Sequence, residues 1–222
     1  MTAPVLLHAE MSLRAVLRRK LTLGILIAMP VAFYFATHDT IGRAVRSLVF
    51  GLSWATSTVA FFAAVSATDL EPRLRLAGWS RKRLLLGRIL GLSALGAALT
   101  LTFGLLVAAD QNPRSLIGVF LDFAVTAAVA IGVGTTVGAL LHQEMEGTLI
   151  LFFLAGLQAV VNPADSVSRV LPFWSSRELG TWAIDGPDFG SLTGGLVHAA
   201  IILVLCVVVT TVGSTRRTSR HP

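Results

Sequence analysis

One acidic residue stands inside an otherwise apolar run: Asp122, about two turns into the stretch 116–141. An aspartate at the middle of a bilayer costs about 2.5–3.5 kcal/mol on insertion scales and less near the interface. It either lines a transport pathway, or it pairs with Arg114 or reaches up to the interface. Ser53, in Gly51-Leu52-Ser53-Trp54, and His198 also lie in apolar runs. Together they could form the nucleophile and base of an intramembrane serine protease, which also needs an oxyanion hole. The serine motif is weak, however, and a serine in a helix commonly bonds its own backbone. The H-E-x-x-H pattern of metalloproteases is absent. Cys206 is the single cysteine, so no internal disulfide and no cysteine metal site is available. A phosphate-binding G-x-x-x-x-G-K-[ST] loop is also missing, since the only lysines are Lys20 and Lys82 and neither follows such a run.

The elements that position these residues are apolar helices. The 222 residues are 54% apolar and only 14% charged, with a mean hydropathy of +0.76. A soluble domain carries about a quarter charged residues, so the composition indicates a polytopic membrane protein. Each span takes about 20 apolar residues, which leaves no room for a large extramembrane domain. Six spans are expected, at about 21–37, 47–68, 84–109, 116–141, 148–161 and 192–213. The first could be mistaken for a signal peptide, but its apolar stretch is long and Tyr34 and Ala36 make a poor cleavage site, so it is read as retained. Pro30 lies inside it. The fifth is short: 14 residues reach about 21 Å against a hydrocarbon core of about 30 Å.

Before the first span, residues 1–20 are read as a basic amphipathic helix lying in the membrane interface, with Val5, Leu6, Ala9, Leu13, Val16 and Leu17 on one side. Residues 214–222 form a tail. Arg14, Arg18, Arg19 and Lys20 precede the first span, Arg73, Arg75, Arg81, Lys82, Arg83 and Arg88 follow the second, and Arg216, Arg217 and Arg220 follow the sixth. The other side holds Arg43, Arg46, Arg114, Arg169 and Arg177. This asymmetry places both termini in the cytoplasm. The net charge of +6 then reflects cytoplasmic loops and anionic lipid rather than nucleic acid. The outer segment 162–190 contains Pro163, Pro172, Pro187, Phe173, Trp174 and Trp182. It reads either as a short helical, re-entrant excursion or as an interfacial aromatic belt.

The inner loop Asp69–Arg88 reads DLEPRLRLAGWSRKRLLLGR. Leu70, Leu74 and Ala77 recur at helical spacing and predict a short helix of about two turns. Gly78 suits a left-handed cap and Ser80 an N-cap for the next span. Arg81, Lys82 and Arg83 sit at a helix N-terminus, where the macrodipole disfavours cations. Lipid phosphates or an acidic protein must therefore favour them.

This layout resembles the permease subunits of type-2 ABC exporters. In that family an inner loop after the second span typically reads E-R-x-x-G-T-L, a turn, then S-R-x-x-x-L-x-G-K. The matching stretch here is Asp69-Leu70-Glu71-Pro72-Arg73-Leu74, then Gly78-Trp79-Ser80-Arg81 and Leu86-Gly87-Arg88, without the family's Gly-Thr-Leu. Glu144-Met145-Glu146-Gly147-Thr148-Leu149 opens the fifth span as a second inner loop, and Leu171-Pro172 precedes the last. The resemblance implies an all-α membrane protein with six transmembrane helices and a coupling loop, 69–83, that docks on a separate ABC ATPase subunit dimer. It implies Asp69, Leu70, Glu71, Arg73, Leu74, Trp79, Ser80 and Arg81 as coupling residues, with ATP and Mg bound by that partner and no cofactor here. Half-size permeases of this class work in pairs, homodimeric or mixed. Gly87/Gly91, Gly134/Gly138 and Gly190/Gly194 are candidate close-packing pairs. A stand-alone secondary transporter is the alternative, although it often shows inverted repeats and none is evident.

Overall fold

A computed structural model describes residues 3–218 except 142, 162–164 and 187, and side chains other than those of 3, 4, 21–23, 41, 69, 72, 159 and 213–218. The side chains of Asp69, Arg216 and Arg217, and all of Pro163, Pro187 and Arg220, therefore lie outside the described set. Every regular element among the described residues is helical. In order they are α1 (Ala3–Leu17), α2 (Lys20–Ala36), α3 (Ile41–Leu76), α4 (Arg81–Asp110), α5 (Leu116–Leu140), α6 (Glu144–Val160), a 3-10 turn (Ser166–Val170), α7 (Trp174–Ile184) and α8 (Phe189–Thr218). Four are long and apolar enough to cross a membrane, over Gly42–Thr68, Arg81–Asp110, Leu116–Leu140 and Phe189–Val212. Helices α2 and α6, where two further spans are expected, have 17 residues each, about 25 Å of helix.

Helix α5 stands at the centre, packed on α3, α4, α7 and α8. Small residues make this close approach possible. A Cβ at Gly134 would collide with the Ser57 carbonyl of α3, and one at Gly138 would lie 2.6 Å from Ala64 Cβ. The Gly134/Gly138 pair thus serves packing within this chain. The Gly87/Gly91 pair does likewise, since it receives α1 against His8 and the Ala9 carbonyl. Pro30 of α2 is accommodated by Gly51 of α3, where a Cβ would lie 2.6 Å from Pro30 Cα. Cys206 packs beside Gly132 as an ordinary buried side chain. The apolar stretch of α3 is 67% buried and that of α8 only 11%. Val197, Ile201, Val204 and Val208 of α8 are exposed, as suits the lipid edge of a bundle.

One expectation is corrected: the inner-loop helix is not separate, since α3 continues without a break to Leu76. Helix α1 forms, and four of the six residues expected on its apolar side face the chain. Ala9 and Val16 are buried and Val5 and Leu13 partly so, while Leu6 and Leu17 are exposed alongside Leu7 and Met11. That side seats in the groove at Gly87 and Gly91 of α4.

Helix ends follow local chemistry. The Ser115 side chain caps α5 by accepting from the Gly118 N–H at 3.1 Å, and Asp188 caps α8 by accepting from the Gly190 N–H at 3.0 Å. Gly78 has φ +84°. The Trp79 N–H bonds to the Leu74 carbonyl and the Gly78 N–H to that of Arg75, which together form a Schellman cap on α3. Ser80 holds the N-cap position of α4, but its hydroxyl makes no capping bond.

The α5–α3 contact sets a test. Gly134→Ala should lower the melting temperature in detergent, with a cost of about 1–3 kcal/mol for overpacking. Gly156→Ala should be neutral or stabilising, because a Cβ there meets nothing within 4 Å and alanine favours the helix. Equal melting temperatures for the two variants would refute the packing assignment.

Candidate functional site

Two regions gather the sequence-derived candidates, one at each end of the bundle. At the basic end, α3 and α4 form a hairpin closed by the Gly78 turn. Glu71 and Arg88 meet across it in an ion pair. Arg88 is only 8% exposed, so Glu71 points into the chain rather than outward as a docking contact. Leu74 is half-buried, and Trp79 rests against His8 of α1 with ring centroids 6.2 Å apart. Leu70 and Leu76 are 57% and 91% exposed, and Arg73 and Ser80 are also exposed while Arg81 is partly so. Leu76 is the most exposed large apolar residue in the region and was not singled out by sequence, because its spacing matched no face of a short helix. In the second inner loop, Glu144 and Glu146 are exposed in the first turn of α6, where acids suit the macrodipole. Gly147 is packed against the Phe61 ring.

At the opposite end, α7 runs antiparallel to the first half of α5. The Ser115 N–H bonds to the Ala183 carbonyl at 3.1 Å, Gly118 faces Ala183, and Ser176 Oγ lies 2.6 Å from Thr126 Oγ1. Between these points sits Asp122, 1% exposed. Its Oδ1 accepts from Thr126 Oγ1 at 3.3 Å, and its Oδ2 has no partner. Gly180 of α7 leaves room for it, since a Cβ there would lie 3.2 Å from Oδ2. Arg114 does not pair with Asp122. Its Nη1 donates to the Asp185 carbonyl at 3.0 Å.

Asp122 lines a cavity of about 390 Å³ together with Ser53, Gln158, Ser176, Arg46 and Arg177, among others. Helix α6 contributes Ala155 and Gln158 to it just before ending at Val160, and α7 contributes Ser176 and Arg177 from its first turn. Arg177 Nη1 donates to the Val161 carbonyl at the end of α6, at 3.3 Å. Gln158, Ser176 and Arg177 were missed by sequence reading. The available signal was a glutamine in an apolar helix, at 158, followed by an arginine inside an aromatic segment, at 177.

Ser53 and His198 are engaged separately. Ser53 Oγ donates to the Phe50 carbonyl at 2.8 Å. His198 Nε2 lies 3.0 Å from the Arg169 carbonyl and its ring packs on Trp174. A further polar cluster escaped sequence reading. Tyr34 donates to Asp110, and His38 Nε2 lies 2.7 Å from the same carboxylate oxygen. It ties the end of α2 to the end of α4. No group of three or more metal-ligating side chains occurs among the described residues.

The basic end yields two tests. Glu71→Gln leaves Arg88 buried without its counter-charge and should cost about 3–5 kcal/mol, whereas Glu71→Gln/Arg88→Met should recover much of the loss. A double-mutant cycle on melting temperature checks this, and additive losses would refute it. His8 is held below the usual histidine range, first by burial, then by Arg88, with Glu71 opposing. The folded chain therefore binds the proton less readily than the unfolded chain. Its stabilising contribution is present above the unfolded pKa of about 6.5 and is lost as pH falls below it. Melting temperature should drop between about pH 7.5 and about pH 5.5, and drop less in His8→Leu. No protein-family model and no curated protein matches this chain.

Proposed function

We propose that the chain is the permease half of an ATP-driven exporter, a six-span protein of the plasma membrane with both termini in the cytoplasm. In this reading α2 and α6 join the four long helices as spans. Helix α7 and the 3-10 turn before it form a re-entrant excursion on the outer side. Between the Ser115–Ala183 and Thr126–Ser176 contacts α7 runs along α5 for eight residues, or about 12 Å, well under half of the core thickness of about 30 Å.

The observation that carries the reading is the length of α3. Its 36 residues span about 54 Å, well over the bilayer core, and the excess emerges at the basic end. That extension stops at a Schellman cap and presents Leu70, Arg73 and Leu76 outward. An exposed leucine at a rigid helix end is suited to entering a groove of another protein. The partner is a P-loop ATPase dimer, which binds ATP and Mg and supplies the hydrolysis for which this chain has no phosphate-binding loop. A second permease copy, identical or related, completes the pathway. ATP closes the partner, the α3–α4 hairpin moves with it, and the bundle changes the side to which it opens. Transport is driven only if substrate and ATP favour different states.

A secondary transporter is the second reading, favoured by Asp122 as a buried acid on a cavity. Such a protein would move substrate in vesicles on an ion gradient without ATP.

Co-purification and transport test the first reading. Leu76→Glu should release the ATPase, with a loss of about thirtyfold or more in affinity if Leu76 is an interface anchor. It should leave the melting temperature of the chain unchanged, since Leu76 touches little of its own fold. Trp79→Ala should also release the ATPase but lower stability, because Trp79 supports α1. Normal transport and partner retention in both variants would reject the coupling role of this end.

A further inference from the structure

We propose that the cavity between α3, α5, α6 and α7 binds a small zwitterion, with its ammonium group at Asp122 and Gln158 and its acidic group at Arg46 and Arg177. The inference is independent of how transport is driven.

The inner wall of the cavity is incompletely satisfied as protein. Asp122 is buried to 1% exposure with Oδ2 unpartnered, and Gln158, which lines the same cavity, has neither amide atom bonded. Buried polar atoms of native proteins are nearly always paired, and each exception calls for an explanation. An ammonium group carries several N–H donors on one atom. It can bond Asp122 Oδ2 and Gln158 Oε1 at once, and its charge offsets that of the carboxylate.

The other side of the cavity has the opposite need. Arg46 and Arg177 line the same space, and the charge of Arg46 opposes that of Arg177 while Glu178 partly offsets it. Arg46 pairs with Asp185 at 3.0 Å, and Arg177 bonds the Val161 carbonyl. Each of these bonds uses one of five guanidinium N–H donors. A carboxylate or phosphate between the two would relieve the repulsion and accept bidentate bonds. A simple cation would meet two guanidiniums, and a simple anion would meet Asp122. A molecule carrying both charges on a short linker satisfies both walls. The volume of about 390 Å³ suits a compact ligand or the headgroup of a larger one. The same chemistry belongs to a free aminoalkyl phosphate and to an ethanolamine lipid headgroup.

The purified full chain in detergent is titrated with phosphoethanolamine, phosphocholine and lysophosphatidylethanolamine, with dissociation constants read by thermal shift and equilibrium dialysis. Phosphoethanolamine should bind at least about tenfold more tightly than phosphocholine, whose nitrogen has no N–H to donate. Asp122→Asn, which keeps the side-chain shape, should erase that preference. Arg177→Gln should weaken both ligands. Tighter binding of the lysolipid than of phosphoethanolamine assigns the site to a lipid headgroup, and equal binding assigns it to a soluble zwitterion. Equal affinity of the parent for the two headgroups, no binding by the parent, or a preference that survives Asp122→Asn overturns the proposal.

Discussion

Backbone-to-backbone proximity between α5 and α3 sets the geometry of the bundle. Four of the helices are long and apolar enough to cross a membrane, and between helices in lipid the hydrophobic effect would supply little attraction, leaving van der Waals contact and a few hydrogen bonds to hold them. Gly134 and Gly138 bring α5 against the Ser57 and Phe61 carbonyls of α3. This closeness fixes the angle at which α5 leaves the pair, and with it the slots taken by α4 on one side and α7 on the other. Gly180 and Gly118 repeat the device at the α7 contact, where Asp122 and Ala183 fill the space that a side chain would otherwise occupy. The Asp122 cavity lies beside these close contacts, where the end of α6 and the start of α7 complete its wall.

The two ends of the bundle use charge differently. At the basic end, Arg88 is taken out of water and held by Glu71, an arrangement that adds little net stability but is costly to break on one side. It fixes the register of the α3–α4 hairpin and leaves the leucines of the extension facing out. At the other end, Arg46 and Asp185 remain half-exposed, where an ion pair contributes little. There the polar groups of the cavity are left incompletely paired.

Much of this was legible in the sequence, and the parts that were not share a cause. The runs that became α3, α4, α5 and α8 were visible because apolar length alone determines a span. The turn at Gly78 was visible because only a residue tolerant of positive φ fits a Schellman cap. The continuity of α3 was not visible, because Asp69, Glu71 and Pro72 read as the end of a span, whereas the helix simply extends beyond the apolar zone. The packed side of α1 was largely visible from its spacing, but its partner was hidden because Gly87 and Gly91 lie some eighty residues away. Asp122 stood out as a lone acid, but its neighbours Gln158, Ser176 and Arg177 come from other elements and share no spacing with it. Sequence periodicity reports what one helix does alone. The site is made where several helices, distant in sequence, meet.

The unbroken course of α3 has a mechanical consequence. Its basic end bears Glu71 and Leu76, and its other end bears Arg46, Ser47 and Ser53 on the cavity. A continuous helix resists bending over this length, and Gly134 and Gly138 hold its middle against α5. A tilt of about 5° about that contact would carry each end about 2 Å over roughly 27 Å of helix, and the two ends would move in opposite senses.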